Sequence, residues 1–453
     1  MESVLKRWLP EDTGFWESEG KKIARRNLYI SVPALFLAFA VWMMWSVIVV
    51  NLPKVGFNFT TEQLFLLTAL PGLSGATLRI FYSFMVPVFG GRRWTALSTL
   101  SLLLPTVGIA FAIQNPQTSY GVFVLLALLC GFGGGNFASS MSNIAFFFPK
   151  KEKGNALALN AGLGNLGVSV VQFIVPLVIT TGLFGIWAGS AQQTAEGSLW
   201  LQNAAIFWIP FIVVSAVAAW FGMNDIAEAK ASLSSQMTIF KRKHNWIMCF
   251  LYVGTFGSFI GFSAGFPQLA KTAFPEVNSL QLAFIGPLLG ALSRACSGWI
   301  SDKHGGGRVT IWVFVVLMLG ALGAYYFLTI KDQSYAFYGF FGMFLLLFVA
   351  TGIGNASTFQ MIPVIFWKDR SRAMQGQSEE DIRKAADRES AAVIGFSSAI
   401  GAYGAFFIPK SYGTAIKLTG APDTALLVFS TFYALCLVAT WFYYTRKNAE
   451  ISC

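Results

Sequence analysis

The chain has 453 residues, 55% of them hydrophobic, 16% aromatic and only 12% charged, about half the charged share of an ordinary soluble domain. A formal net charge of +11, from 32 Lys and Arg against 21 Asp and Glu, would suggest nucleic acid in a soluble protein. In so apolar a chain the excess belongs to the loops of a membrane protein, and nucleic acid is set aside.

In chain order, residues 1–27 are polar and charged. They hold no apolar core followed by a small-residue cleavage site, so they read as a cytoplasmic N-terminal segment and not as a signal peptide. Six apolar stretches follow, each near the roughly twenty residues needed to cross a bilayer, at 28–50, 64–89, 94–112, 120–148, 156–179 and 204–222. They form a first bundle over 28–224. Residues 225–245, rich in Ser, Lys and Ala, read as a cytoplasmic linker. Six more stretches, at 246–270, 280–300, 309–329, 336–366, 391–409 and 424–444, form a second bundle over 246–446. A charged insertion at 369–389 is expected as a cytoplasmic surface helix, and 447–453 as a cytoplasmic tail. The predicted fold class is all-α integral membrane, with twelve transmembrane helices in two pseudo-symmetric six-helix halves.

With the connections numbered alternately, twenty-five Lys and Arg fall on one side. Five (Lys54, Lys271, Lys331, Lys410 and Lys417) fall on the other. The positive-inside rule places the rich side, and both termini with it, in the cytoplasm. The cysteines, Cys130, Cys249, Cys296, Cys436 and Cys453, show no C-x-x-C spacing, which supports neither a disulfide framework nor a metal cluster.

Two arginines lie deep inside apolar stretches, and each opens the same pattern. Arg79 is followed by Gly90, Gly91 and Arg93, and Arg294 by Gly305, Gly306 and Arg308. In an unbroken helix the eleven residues between arginine and Gly pair rise about 16 Å, half of a hydrocarbon core about 30 Å thick. That places both side chains near the midplane, where a charge costs about 2.5–3.5 kcal/mol even on lenient scales. All 21 carboxylates map to loops, termini or helix ends, and His244 and His304 lie in cytoplasmic segments. Arginine does not deprotonate, so the core has no obvious proton carrier and its fixed charges call for an anion. The planar fork of N–H donors suits planar oxyanions such as nitrate, nitrite or a carboxylate. Pairing with backbone carbonyls, or with an acid on a neighbouring helix, is the competing reading.

Glycine-rich runs at 131–137 and 162–167 suit close helix packing in lipid. The mid-helix amide of Asn165 serves equally as interhelical glue or as a donor to an anion. Tyr252 and Phe256, four apart on one helix face, and Phe137 in a small-residue run are aromatics of the packing or the binding kind. The loop from Gly298 to Arg308, containing Asp302, Gly305, Gly306 and Gly307, resembles the signature between the eighth and ninth helices of the major facilitator superfamily. In this reading Asp302 caps or pairs with basic groups, the glycines turn the chain, and the loop gates and stabilises without touching substrate. The first-half copy has Pro87 and Val88 where an acid would be expected.

The whole chain resembles a nitrate/nitrite porter of that superfamily. The segments that carry the likeness are VGFNFTT at 55–61, YSFMVP at 82–87, the glycine-rich 131–150, AGLGNLGVS at 161–169, TFGSFIGFSAGF at 255–266 and STFQMI at 357–362. The resemblance implies that Arg79 and Arg294 clamp the anion, that Phe137 and Phe256 sandwich it, and that Asn165 and Tyr252 hydrogen-bond it. It also implies that Gly164 and Gly167, with their counterparts Gly401 and Gly404, belong to signatures of helix mobility. The second signature is looser, with Tyr403 where a smaller residue is typical. The expected protein is a carrier, not an enzyme, without cofactor, working as a monomer in the lipid bilayer of the bacterial inner membrane. It exchanges nitrate and nitrite by rocker-switch alternating access. Proton-coupled nitrate uptake, or antiport of another small anion such as a carboxylate or organophosphate, is the alternative.

Overall fold

In a computed structural model describing residues 3–185, 189–195, 197–227 and 237–453, twelve helices are long and apolar enough to cross a membrane. They are α1 (Thr13–Asn51), α2 (Thr61–Tyr82), α3 (Gly91–Gln114), α4 (Tyr120–Phe147), α5 (Lys151–Val178) and α6 (Asn203–Gly222). After them come α7 (Lys243–Ala273), α8 (Ser279–Cys296), α9 (Gly306–Thr329), α10 (Ala336–Ala373), α11 (Glu379–Thr419) and α12 (Asp423–Thr445). Part of the expected linker, 228–236, lies outside the described residues, as does the side chain of Lys150. Short strands complete the inventory. β1 (Val4–Leu5) pairs in parallel with β4 (Asp225–Ile226), and β2 (Gln192–Thr194) pairs antiparallel with β3 (Gly197–Leu199).

Two compact units divide the chain, one holding residues 1–231, 263–271 and 278–284, the other 232–262, 272–277 and 285–453. Within the first, the N-terminal segment is tied down. Trp8 donates its indole N–H to the Phe146 carbonyl at 3.0 Å, and Trp16 donates to Glu152 at 3.1 Å. Within the second, the tail folds back. Lys368 donates to the Ser452 carbonyl at 2.7 Å, and the Lys243 ammonium holds the Glu450 carboxyl below the ordinary carboxylate range.

The charged stretch 369–389 is not a separate surface helix. Helix α10 runs on to Ala373 and α11 begins at Glu379, so the stretch is made of two helix ends and a short turn. Ser378 caps α11 by accepting from the Asp381 N–H, and three acids in the first turn suit the helix dipole. Glu389, expected in the loop, is instead a buried helical residue. Arg242 reaches it at 2.8 Å and Arg370 at 3.5 Å.

Glycines mark where helices touch. A Cβ at Gly167 would lie 2.1 Å from the Phe36 carbonyl, and one at Gly164 would lie 2.7 Å from the Leu35 side chain, so α5 closes on α1 there. The second unit repeats this with α11 on α7. A Cβ at Gly404 would lie 2.2 Å from the Gly257 carbonyl, and one at Gly401 would lie 2.8 Å from the Tyr252 ring. Gly90 and Gly305 turn the chain at φ 87° and 85°, a region open to glycine and rarely to others. Their successors pack tightly, Gly91 against Asn143 and Gly306 against the Ser357 carbonyl.

Candidate functional site

Each core arginine stands at the end of a broken helix, which the sequence pattern did not predict. Arg79 occupies the last turn of α2, after which a kink at Phe84 leads into a short helix, Met85–Phe89. Arg294 occupies the last turn of Ile285–Cys296, the regular part of α8, and a kink at Ser297 leads into Gly298–His304. The two kinks have nearly the same backbone, φ −97° and ψ −7° at Phe84 against φ −102° and ψ −2° at Ser297. The path from each arginine to its Gly pair is therefore two helical pieces and not one straight helix. The break adds what arithmetic lacked, because a helix C-terminus carries carbonyls and partial negative charge that favour a cation.

In the first unit Arg79 is fully buried. Its Nε donates to the Gly134 carbonyl at 3.0 Å, and its guanidinium carbon lies 4.7 Å from the Phe137 ring centre and 5.3 Å from that of Trp42. Trp42 is oriented by its own N–H, which reaches the Pro71 carbonyl at 2.7 Å. Glycine makes room for it, since a Cβ at Gly75 would lie 2.5 Å from the indole nitrogen and one at Gly134 would lie 2.7 Å from the ring. The run at 131–135 thus provides more than generic packing. It brings α4 onto α2 and exposes the carbonyl that Arg79 uses. Asn165 in α5 is 1% exposed, and neither its amide oxygen nor its nitrogen has a hydrogen-bond partner among the described residues.

In the second unit the aromatics form a stack that ends on the arginine. Tyr252 and Phe256 lie with ring centres 5.3 Å apart and planes at 14°. Phe359 of α10 stacks on Tyr252 at 4.6 Å, again at 14°, and the Arg294 guanidinium carbon sits 5.3 Å from the Phe359 centre. All three distances from a guanidinium to a ring centre are within cation–π range. The Nη1 nitrogen of Arg294 is buried with no hydrogen-bond partner among the described residues. Residues Val253–Gly257 form a wide π-turn inside α7, an irregularity frequent at functional sites, and Phe256 sits on it. Asn355 of α10 is a second buried amide whose two atoms lack partners.

Sequence reasoning thus named Arg79, Phe137, Arg294, Tyr252 and Phe256, and missed Trp42, Phe359 and Asn355. The first two missed residues lie among dozens of apolar-helix aromatics. Asn355 carried one signal, the recurrence of Gly135-Asn136 as Gly354-Asn355. The signature loop differs from expectation in one respect. Asp302 accepts from the Gln360 amide and not from a basic group, and Arg308 is exposed, with no ion pair among the described residues. In the first unit the missing acid is supplied from elsewhere. Asp225 accepts from the Arg92 backbone N–H at 2.8 Å and from its Nε at 3.3 Å.

Residues 34–376 match the Major Facilitator Superfamily. The chain is 55% identical to the nitrate/nitrite transporter NarU of Salmonella typhimurium, over 99% of this chain and 97% of that protein. It is 40% identical to the probable nitrate/nitrite antiporter NarK2 of Thermus thermophilus, over 98% and 97%. A solved bacterial homolog of the human lysosomal transporter Spinster has a TM-score of 0.62 at 15% identity, over 92% of this chain and 96% of that one, a likeness of fold alone.

Proposed function

The chain belongs to the Major Facilitator Superfamily, among its nitrate/nitrite transporters, and from that membership we propose that it carries nitrate and nitrite and exchanges one for the other. It is a carrier, not an enzyme. The anion is bound by Arg79 and Arg294, contacted by Phe137 and Phe256, and hydrogen-bonded by Asn165 and Tyr252. The observation that carries this reading is the buried, unpartnered Nη1 of Arg294 at the end of an aromatic stack. A buried donor without a partner is costly, and a charged one more so, so a transient acceptor is the natural complement. The orphaned amide of Asn165 supports the same conclusion in the first unit.

Exchange follows from charge. With neither arginine able to lose its proton, an empty site keeps two fixed positive charges in low dielectric, and closing around nothing is disfavoured. A bound monoanion offsets part of that charge and permits the rocking step between the two access states. The charged ends, the basic-rich loops and both termini face the cytoplasm in this reading, by the positive-inside rule. Labelled nitrite uptake into liposomes loaded with nitrate, nitrite or neither tests it. Uptake is expected only into loaded vesicles. Net uptake into empty vesicles driven by a pH gradient would overturn exchange in favour of proton coupling.

A further inference from the structure

The short helix after α8, together with α9 and α10, encloses an open groove of about 460 Å³ within the second unit. Its wall is apolar along the length of the spans and basic at one end. His304 and Arg308 line that end, while Val316 of α9 and Leu346 of α10 line the deeper part. The groove lies on an outer face, because Trp312 and Leu346 within it are 69% and 40% exposed. On helices apolar enough to cross a membrane, such a face meets lipid. From Arg308 to Val316 the helix rises about 12 Å at 1.5 Å per residue, most of one leaflet's share of a roughly 30 Å core.

Hydrocarbon will fill any apolar slot in a bilayer. The basic end is what selects. Arg308 is exposed and makes no ion pair among the described residues, and Lys303 and His304 are exposed beside it. The adjacent Asp302, held by the neutral Gln360 amide, offsets one of these charges, and Lys303 with Arg308 leaves the end net positive. A guanidinium at the membrane surface pairs its fork of N–H donors with phosphate oxygens, and basic pockets between spans hold anionic headgroups. Trp312 adds an amphipathic ring of the kind enriched at that depth.

We propose that this groove is a binding site for one anionic phospholipid, with an acyl chain along α9 and α10 and the phosphate on Arg308 beside His304. The site is independent of the transported anion. Its occupant comes from the leaflet that meets the basic end.

Native mass spectrometry of the purified protein tests this, with phosphatidylglycerol and phosphatidylcholine of identical chains titrated separately. A first phosphatidylglycerol is expected to bind at lower lipid concentration than phosphatidylcholine. Arg308→Gln should weaken that adduct about fivefold, the factor one interfacial basic residue supplies, and leave phosphatidylcholine unchanged. Val316→Trp, which fills the deep end without altering charge, should weaken both lipids. Equal affinity of the wild-type chain for the two lipids would overturn the proposal, as would adducts indifferent to both substitutions. Competition by glycerol 3-phosphate alone would reassign the site to soluble phosphates. Loss of a dimer signal in Val316→Trp, in place of a lipid adduct, would reassign it to a second copy of the chain.

Discussion

Arg79 and Arg294 carry a charge that neither can shed, and each guanidinium lies over aromatic rings at a helix end. The role proposed for them rests on a planar fork, so Arg79→Lys and Arg294→Lys keep the charge and lose the geometry. Losing one charge-assisted hydrogen bond costs about 1.5–3 kcal/mol, or roughly ten- to hundredfold in anion binding. We expect at least that loss in nitrate–nitrite counterflow, with folded protein confirmed by gel filtration. Near-normal counterflow in Arg294→Lys would count against recognition by the fork. Asn165 separates two readings that its sequence left open. Its amide has no hydrogen-bond partner among the described residues, so Asn165→Ala should raise the KM for nitrate about tenfold, one lost hydrogen bond, while leaving thermal stability near wild type. A fall of several degrees in Tm with unchanged KM would make it interhelical glue. The arginines were legible because they are the ionisable exceptions in apolar stretches. Trp42 and Phe359 were not, because an aromatic that touches a guanidinium and one that touches leucine look alike until the neighbours are known.

Elements obey rules that the glycine spacing announced only in part. Gly404 meets the backbone of Gly257, which cannot yield like a side chain. Gly404→Ala should therefore push α11 from α7 and cost about 1–3 kcal/mol, the usual range for overpacking, together with most of the transport. Gly395 in the same helix is the control. A Cβ there meets nothing within 4 Å, so Gly395→Ala should be neutral or stabilising by about 0.5–1 kcal/mol. Thermal unfolding of the two variants in detergent separates them, and equal Tm values would refute the close-approach account. The ion pair between Arg92 and Asp225 ties the first turn of α3 to β4, with side chains 10% and 9% exposed. Removing one partner of such a pair costs about 3 kcal/mol or more, so Asp225→Asn should fall in stability by that order in the same assay. Sequence could not show this pair, because its partners are 133 positions apart. The helix breaks after Arg79 and Arg294 were equally hidden. Nothing in the apolar pattern ends there, although Pro87, which cannot donate to the Ser83 carbonyl, suits the first break.

At the scale of the whole molecule, the proposed exchange should be insensitive to pH, because the residues assigned to the anion carry no carboxylate or histidine. Counterflow rates between pH 6 and 8 are expected to agree within about twofold, less than the tenfold change per pH unit that an obligatory proton would impose. A tenfold dependence per pH unit would require a proton carrier. Twelve spans, and two arginines set deep in apolar stretches, could be read from the chain alone. Hydropathy and charge are properties of residue types, and the bilayer acts on them segment by segment. What the charged stretch 369–389 becomes was decided by folding, since α10 and α11 continue through it and bury Glu389 between Arg242 and Arg370. The same holds for the indole beneath Arg79, the aromatic stack that ends on Arg294, and the acid that reaches Arg92 from β4. Each depends on which distant side chains share a contact of a few ångströms, and local pattern carries no record of that.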